Sequence, residues 1–396
     1  MNSDLTQLRN SPFIALRELL EPLEPADGLT PLALTIGEPQ NQPPALMKEA
    51  LHSNDHLYGK YPPVNGTPEL RVAICNWLTR HYEIPETLLD PDRQITPVNG
   101  TKEALFMLAQ VLTERSASAT EKPAILIPNP YYHVYHAAAI MAGAEPVFLN
   151  ATKETNFFPD LDLLDEKLLA RTSAFYLCSP SNPQGTVAGK DYLRRALELA
   201  RHYDFTLIMD ECYAEIYDKE KPEGILQVVD ALGGSLENLV TFHSLSKRSS
   251  AAGLRSGFIA GDESITKALI NLRNFAGAAS PLPVCAASTA LWTDDAHVVL
   301  NRELYRQNID IAERHLGNRF DFYRPPGGFF LWLNVGNGVE AARKLWTEAA
   351  IRVLPGEYLS GEDSNGINPG IEYIRVALVF DPDMMDEALS RIANCL

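Results

Sequence analysis

The sequence predicts an α/β protein: a large domain with a mainly parallel sheet flanked by helices, joined to a smaller α+β domain. Three observations lead there. Short apolar runs alternate with helical patterns through the middle of the chain. The texture changes after Ser280-Pro-Leu-Pro283, where long helical patterns begin. The 396 residues, 45% hydrophobic and 21% charged, suit more than one core rather than a disordered, collagen-like or disulfide-stapled chain.

The chain opens Pro-rich, with Glu21-Pro22, Glu24-Pro25, Thr30-Pro31 and Glu38-Pro39. This reads as an extended arm that rejoins the smaller domain or reaches a second subunit. Val64-Asn-Gly-Thr-Pro-Glu69 and Val98-Asn-Gly-Thr-Lys-Glu103 then set Thr and Glu before helical patterns. Shared helix-start chemistry explains their likeness better than duplication does. The runs Ala124–Ile127, Ala174–Cys178, Thr206–Met209, Leu239–Phe242 and Gly257–Ala260 are too short for helices and apolar throughout, as in a sheet buried on both faces. Lys190 to Tyr203 is helical, with Tyr192, Leu193, Ala196, Leu197 and Ala200 on one stripe. Beyond Pro283, Val284–Trp292 and His297–Leu316 read as helices and Phe329–Leu333 as a strand. Val339–Ala350 then reads as a helix and Tyr373–Ala377 as a strand. The expected division is an arm and part of the small domain over 1–40, the large domain over 41–295 and the small C-terminal domain over 296–396.

A formal charge of −17 repels polyanions, so neither nucleic acid nor an anionic membrane is an expected partner. No apolar run approaches the roughly 18 residues of a membrane helix, and Met1 to Asn10 is polar, without a secretory signal pattern. Five irregularly spaced cysteines with no C-x-x-C pair read as reduced thiols of a cytoplasmic protein. His133 and His136 lack a matching third ligand, so no metal site is expected.

Four motifs follow one another along these elements: Asn99-Gly-Thr-Lys-Glu103, Ser181-Asn-Pro-Gln-Gly185, Asp210-Glu-Cys-Tyr213, and Ser244-Leu-Ser-Lys247 running on to Gly253-Leu-Arg255-Ser-Gly257. Tyr373-Ile-Arg375 comes near the C-terminus. Together they resemble the class I/II pyridoxal-phosphate aminotransferases of fold type I. The resemblance spans nearly the whole chain and is most specific from Lys247 to Gly257. It implies an aspartate-aminotransferase-like fold, bound pyridoxal 5'-phosphate and transamination.

The residues bear their own physical reading. Lys247 follows small hydroxyl residues beyond the Leu239–Phe242 strand, at the carboxyl end where such sheets bind ligands. In a partly dry pocket it is a nucleophile and proton carrier; otherwise it is an ordinary solvated lysine. Asp210 ends a buried run, where a carboxylate needs a positive partner such as a pyridinium N–H; the alternative is an N-cap for a helix starting near Glu211. Gly100, Thr101 and Lys102 open a helix whose N–H groups suit a phosphate. Arg255 offers it a two-pronged contact, and Ser244 and Ser246 offer hydroxyls. Arg375 interrupts an apolar strand and fits a substrate carboxylate, a structural salt bridge being the alternative.

The remaining assignments come by resemblance. Tyr213 and Asn182 reach the ring hydroxyl, although turn chemistry alone explains Asn182. Tyr132 stacks on the ring or simply packs. Tyr61 reaches the phosphate of the neighbouring subunit in a homodimer, and Asn182 and a backbone group at Gly37 help Arg375 hold the α-carboxylate.

Within the family the sequence resembles most the bacterial N-succinyl-L,L-diaminopimelate aminotransferases of lysine biosynthesis. The matching stretches include Leu34–Pro39, Gly59–Gly66, Asp210–Tyr213, Ser244–Ser249, His297–Tyr305 and Val353–Gly356. Gln184 departs slightly from the wider family, which commonly has Thr there. The likeness implies glutamate as donor, 2-oxoglutarate as its product and a succinylated amino/oxo diacid as acceptor. Lys60 and Arg273 are candidates for its distal carboxylates. Two alternatives are a carbon–sulfur lyase on the same fold, needing the same Lys, Asp and Arg, and a non-catalytic binding module.

Overall fold

The computed structural model describes residues 3–8, 11–114 and 121–396; Met1, Asn2, Arg9 and Asn10 of the polar N-terminal stretch lie outside them. A seven-stranded sheet runs in the order Ile95–Val98, Gly257–Gly261, Leu239–Ser244, Thr206–Asp210, Thr172–Cys178, Ala124–Asn129, Glu145–Asn150. Gly257–Gly261 is antiparallel to both neighbours, and every other adjacent pair is parallel. The fold is therefore the expected aspartate-aminotransferase-like α/β architecture.

Two layers of helices cover the sheet, and each strand divides its side chains between them. Phe175, Leu177, Leu207 and Met209 join a core with the helices Pro68–Tyr82, Lys190–Tyr203 and Ile225–Ala231. Ala174, Tyr176, Ile208 and Val240 face Thr101–Leu112 and His133–Ala142 on the other side. Burying one such Leu or Phe stabilises the fold by about 1.5–3 kcal/mol.

The two strands the sequence reading passes over are the two edges. Ile95–Val98 contains Pro97, and Glu145–Asn150 contains Pro146 and is only half buried. Proline cannot donate to a ladder and is tolerated at an edge, so both segments lose the strand signature. The near-repeat serves two helix starts in different registers. Thr67 caps Pro68–Tyr82, its hydroxyl accepting from Leu70 N–H at 3.3 Å, whereas Gly100 precedes Thr101–Leu112.

Further along, Leu354–Pro355, Tyr373–Ala377 and Phe330–Asn334 form a three-stranded antiparallel sheet. It packs on Ala296–Leu316, Gly338–Ala349 and Pro382–Cys395 around a second core. The Pro-rich start returns to this region, Leu32–Ala33 pairing in parallel with Ile351–Arg352. It is not wholly extended: Pro12–Leu20 is a helix that buries Leu16 and Leu20. No helix among the described residues is long and apolar enough to cross a membrane.

Candidate active site

A cavity of about 630 Å³ opens where Thr206–Asp210 and Leu239–Ser244 end, and helix and loop termini complete its wall. All the sequence-predicted cofactor and α-carboxylate residues line it except Gly100 and Tyr61, and neither of the distal-carboxylate candidates, Lys60 and Arg273, does so.

Lys247 lies in the single-turn helix Leu245–Arg248, which starts where Ser244 leaves its strand. The Ser244 hydroxyl accepts from Ser246 N–H at 3.1 Å, so one residue both caps this helix and lines the cavity. Lys247 Nζ donates to Gly37 O and stands 5.6 Å from the Phe329 ring centre. Burial brings the Lys247 ammonium down to about 8, with Arg375 and Arg255 pushing the same way and Cys212 and Glu38 opposing. Roughly a fifth is then neutral near pH 7.4, against about a thousandth for a free lysine, and the neutral amine is the nucleophile and base.

Asp210 closes a strand buried along its whole length. One carboxylate oxygen accepts from Tyr135 O–H at 2.7 Å and the other from Cys212 N–H at 3.3 Å. The second bond is a local turn contact of the kind a cap would make, but no helix begins at Glu211; the next starts at Ile225. Burial and the Asp210 charge hold the Tyr135 phenol far above its ordinary value, so it stays a donor. Sequence reasoning missed Tyr135. It stacks on Tyr176 at 4.5 Å, and a packed tyrosine has no signature of its own.

Arg375 is buried in its strand. Nη1 donates to Asn182 Oδ1 at 2.9 Å and Nη2 to the Thr35 carbonyl at 2.6 Å, while the Phe330 ring centre lies 4.3 Å from the guanidinium carbon. No carboxylate pairs with it among the described residues, and its buried Nε has no partner. The structural salt bridge is thus not present. Burial lowers the Arg375 guanidinium to about 10, and an anion in the cavity would relieve it.

At the opposite end, Thr101 and Lys102 open a twelve-residue helix. Gly100 before them has φ +76°, and a Cβ there would collide with the Arg255 guanidinium. Arg255 donates from Nη1 to Ala252 O at 2.9 Å and from Nη2 to Asn99 O at 3.4 Å, and no acid among the described residues pairs with it. Ser246 lines the same stretch. Tyr132 lines the cavity, its ring edge-on to Tyr135 at 5.6 Å; Tyr213 lines it packed edge-on to Phe329 and Phe330. His133 sits on the wall, held down at about 4 by burial, Lys102 and Arg375, and is neutral.

Three of the expected residues lie outside this chain's cavity, as Tyr61 must if it serves a neighbouring subunit. Tyr61 stands fully exposed, 102% relative to a free residue, and does not reach this chain's cavity. Lys60 is exposed outside it. Arg273 is buried outside the cavity and donates from Nη1 to Val64 O and Pro97 O at 3.2 and 2.8 Å, a structural clamp.

The family model described as aminotransferase class I and II matches residues 30–392. The chain belongs to this family. A crystal structure of an aminotransferase from Neisseria meningitidis superposes with a TM-score of 0.94 at 40% identity, covering 100% of this chain and 99% of that one. The transaminase OxyQ of Streptomyces rimosus, described as acting on 4-dedimethylamino-4-oxo-anhydrotetracycline, is 32% identical over 92% of this chain and 93% of its own. An LL-diaminopimelate aminotransferase of Desulforudis audaxviator is 28% identical over 98% and 97%.

The family's cofactor is pyridoxal 5'-phosphate, and the cavity fits it. Arg255, the helix start and the hydroxyls suit a phosphate dianion. Asp210, buried and pre-aimed by Tyr135, suits a protonated ring nitrogen. The orphaned Arg375 Nε suits the carboxylate of an amino acid lying against the ring.

Proposed function

We propose that this transaminase is the N-succinyl-L,L-diaminopimelate:2-oxoglutarate aminotransferase of lysine and diaminopimelate biosynthesis, acting as a homodimer in the cytoplasm. The supporting observation is that Lys247, Asp210 and Arg375 line one cavity with Arg255, free of any carboxylate among the described residues, at its far end. The acceptor is supported by the matched stretches of sequence. A relative named for LL-diaminopimelate favours a second reading, in which the same carbon skeleton is used without the succinyl group.

When bound, pyridoxal phosphate supplies an electron sink for the pair left on the substrate α-carbon. The chain's own residues do the rest. Arg375, aimed by Asn182 and Thr35 O, holds the α-carboxylate and so turns the α C–H toward Lys247. Neutral Lys247 Nζ takes that proton and returns it in the reverse half of the cycle. Asp210 would hold a positive ring nitrogen, and Tyr213 and Asn182 would offer hydrogen bonds to the ring hydroxyl. Thr101, Lys102, Ser244, Ser246 and Arg255 would hold the phosphate, and Tyr132 would pack against the ring. Phe329 and Phe330 exclude water from the Lys247 side.

A spectrophotometric half-reaction screen on the cofactor-loaded protein tests this. Glutamate and N-succinyl-L,L-diaminopimelate should each, without an acceptor, convert the cofactor chromophore. A higher kcat/KM for free L,L-diaminopimelate would install the second reading. Release of pyruvate and ammonia from cystathionine would instead indicate a lyase.

A further inference from the structure

We propose that a second cavity beside the active site is a subsite for the distal carboxylates of a long amino diacid, read by Arg17 and Arg352. The substrate's identity rests on the function proposed above; the subsite stands on geometry. This cavity has a volume of about 620 Å³. It shares Phe13 and Ile36 with the cavity that holds Lys247, so those two side chains are the wall between them. Thr35 joins the two as well: its carbonyl holds Arg375 Nη2 at 2.6 Å, and the residue lines the second cavity. A substrate anchored by its α-carboxylate on Arg375 and extending past Phe13 and Ile36 enters this space.

Among the described residues of this chain, the first cavity has no cation left for a distal carboxylate. Arg255 and Lys102 face the phosphate end, Arg375 takes the α-carboxylate, and neutral His133 offers no charge. Arg17 and Arg352 supply it next door. Neither guanidinium has an ion-pair or hydrogen-bond partner among the described residues, in a chain where 51 acids outnumber 34 Lys and Arg. The Arg352 guanidinium carbon lies over the Trp346 ring, 4.1 Å from its centre, and Trp346 is itself fixed by Nε1 donating to Leu23 O at 3.0 Å. A guanidinium held over a ring face still has N–H groups to offer a carboxylate. Glu21 and Glu24 line the same space beyond ion-pair distance of both arginines and offer acceptors for the amide N–H of a succinyl arm.

The test uses the cofactor-loaded enzyme with Arg17→Gln and Arg352→Gln. N-succinyl-L,L-diaminopimelate is measured as amino donor (KM) and as competitor of the glutamate half-reaction (Ki). One charge-assisted contact is worth about tenfold. The ratio of either constant to the glutamate KM should therefore rise about tenfold in each variant, with partial recovery in Arg352→Lys. An unchanged ratio in both variants overturns the subsite, even if the wild type turns the compound over. Competition that depends on both arginines without turnover supports the subsite and sinks the proposed reaction. No binding at all sinks both.

Discussion

Lys247 is set apart by the dryness around its amine. Its ammonium titrates near 8 in the folded protein, against about 10.4 in an unfolded chain. Below pH 8 both states carry the proton, and the folded state bears the full cost of a buried charge. Between about 8 and 10.4 the unfolded chain binds the proton that the folded one has released, so this group makes stability rise with pH there. Cofactor-free Lys247→Met should thus melt higher than the wild type at pH 7, by about 2–4 °C. That margin should shrink as the pH is raised through 8 and beyond. A margin constant between pH 7 and about 10 in thermal scans would refute the assignment. The chemistry of such residues is legible in sequence where a charge breaks a local rule: Lys247 and Asp210 at strand ends, and Arg375 inside an apolar run. Tyr135 and the Thr35 carbonyl break none. A tyrosine on a buried helix face and a backbone oxygen look ordinary until the fold sets them beside Asp210 and Arg375.

A four-residue helix such as Leu245–Arg248 has no stability of its own, so the elements around it must hold Lys247 in place. Asn301, on the Ala296–Leu316 helix, donates from Nδ2 to the carbonyls of Lys247 and Arg248 at 3.0 and 3.3 Å. Arg248, 2% exposed, is clamped by Asp295 at 2.5 Å, Glu215 at 3.4 Å and the Leu291 carbonyl at 2.7 Å, between the rings of Trp77 and Trp292. Glu215 also accepts from Arg302 at 2.8 Å and Trp77 Nε1 at 3.2 Å. Removing that one carboxylate leaves two guanidinium groups short of a partner in a dry place. Glu215→Ala should cost about 3–5 kcal/mol, read as a fall in the denaturant midpoint at constant slope; a loss under about 1 kcal/mol would show the cluster to be dispensable. The sequence pattern marks the central strands and the Lys190–Tyr203 helix because their apolar periodicity is unbroken. It hides this anchor. Glu215, Arg248 and Asn301 come from three separate segments, and no local spacing relates them. It also hides the Pro12–Leu20 helix, whose surroundings are rich in proline.

The whole molecule raises the question of what covers Tyr61. This ring is fully exposed, with Tyr58 at 62% nearby in sequence. Arg273 ties the helix that ends beside Phe275, itself 93% exposed, to the loop that carries Tyr61. Such an aromatic surface on a chain of net charge −17 suits a second copy of the same chain, with Tyr61 lent to the other phosphate site. Complementation in trans decides the matter. Lys247→Ala and Tyr61→Ala should each be impaired alone, the first in proton transfer and the second in holding cofactor. When the two are unfolded and refolded together, half of the dimers formed at random are hybrids. In a hybrid, one site gathers both defects and the other has the native Lys247 and a native Tyr61 from its partner. Activity should return to about a quarter of the wild-type value. If Tyr61 acted within its own chain, every site in the mixture would carry one defect and nothing would be regained. A sedimenting species of monomer mass with full activity would remove the dimer altogether.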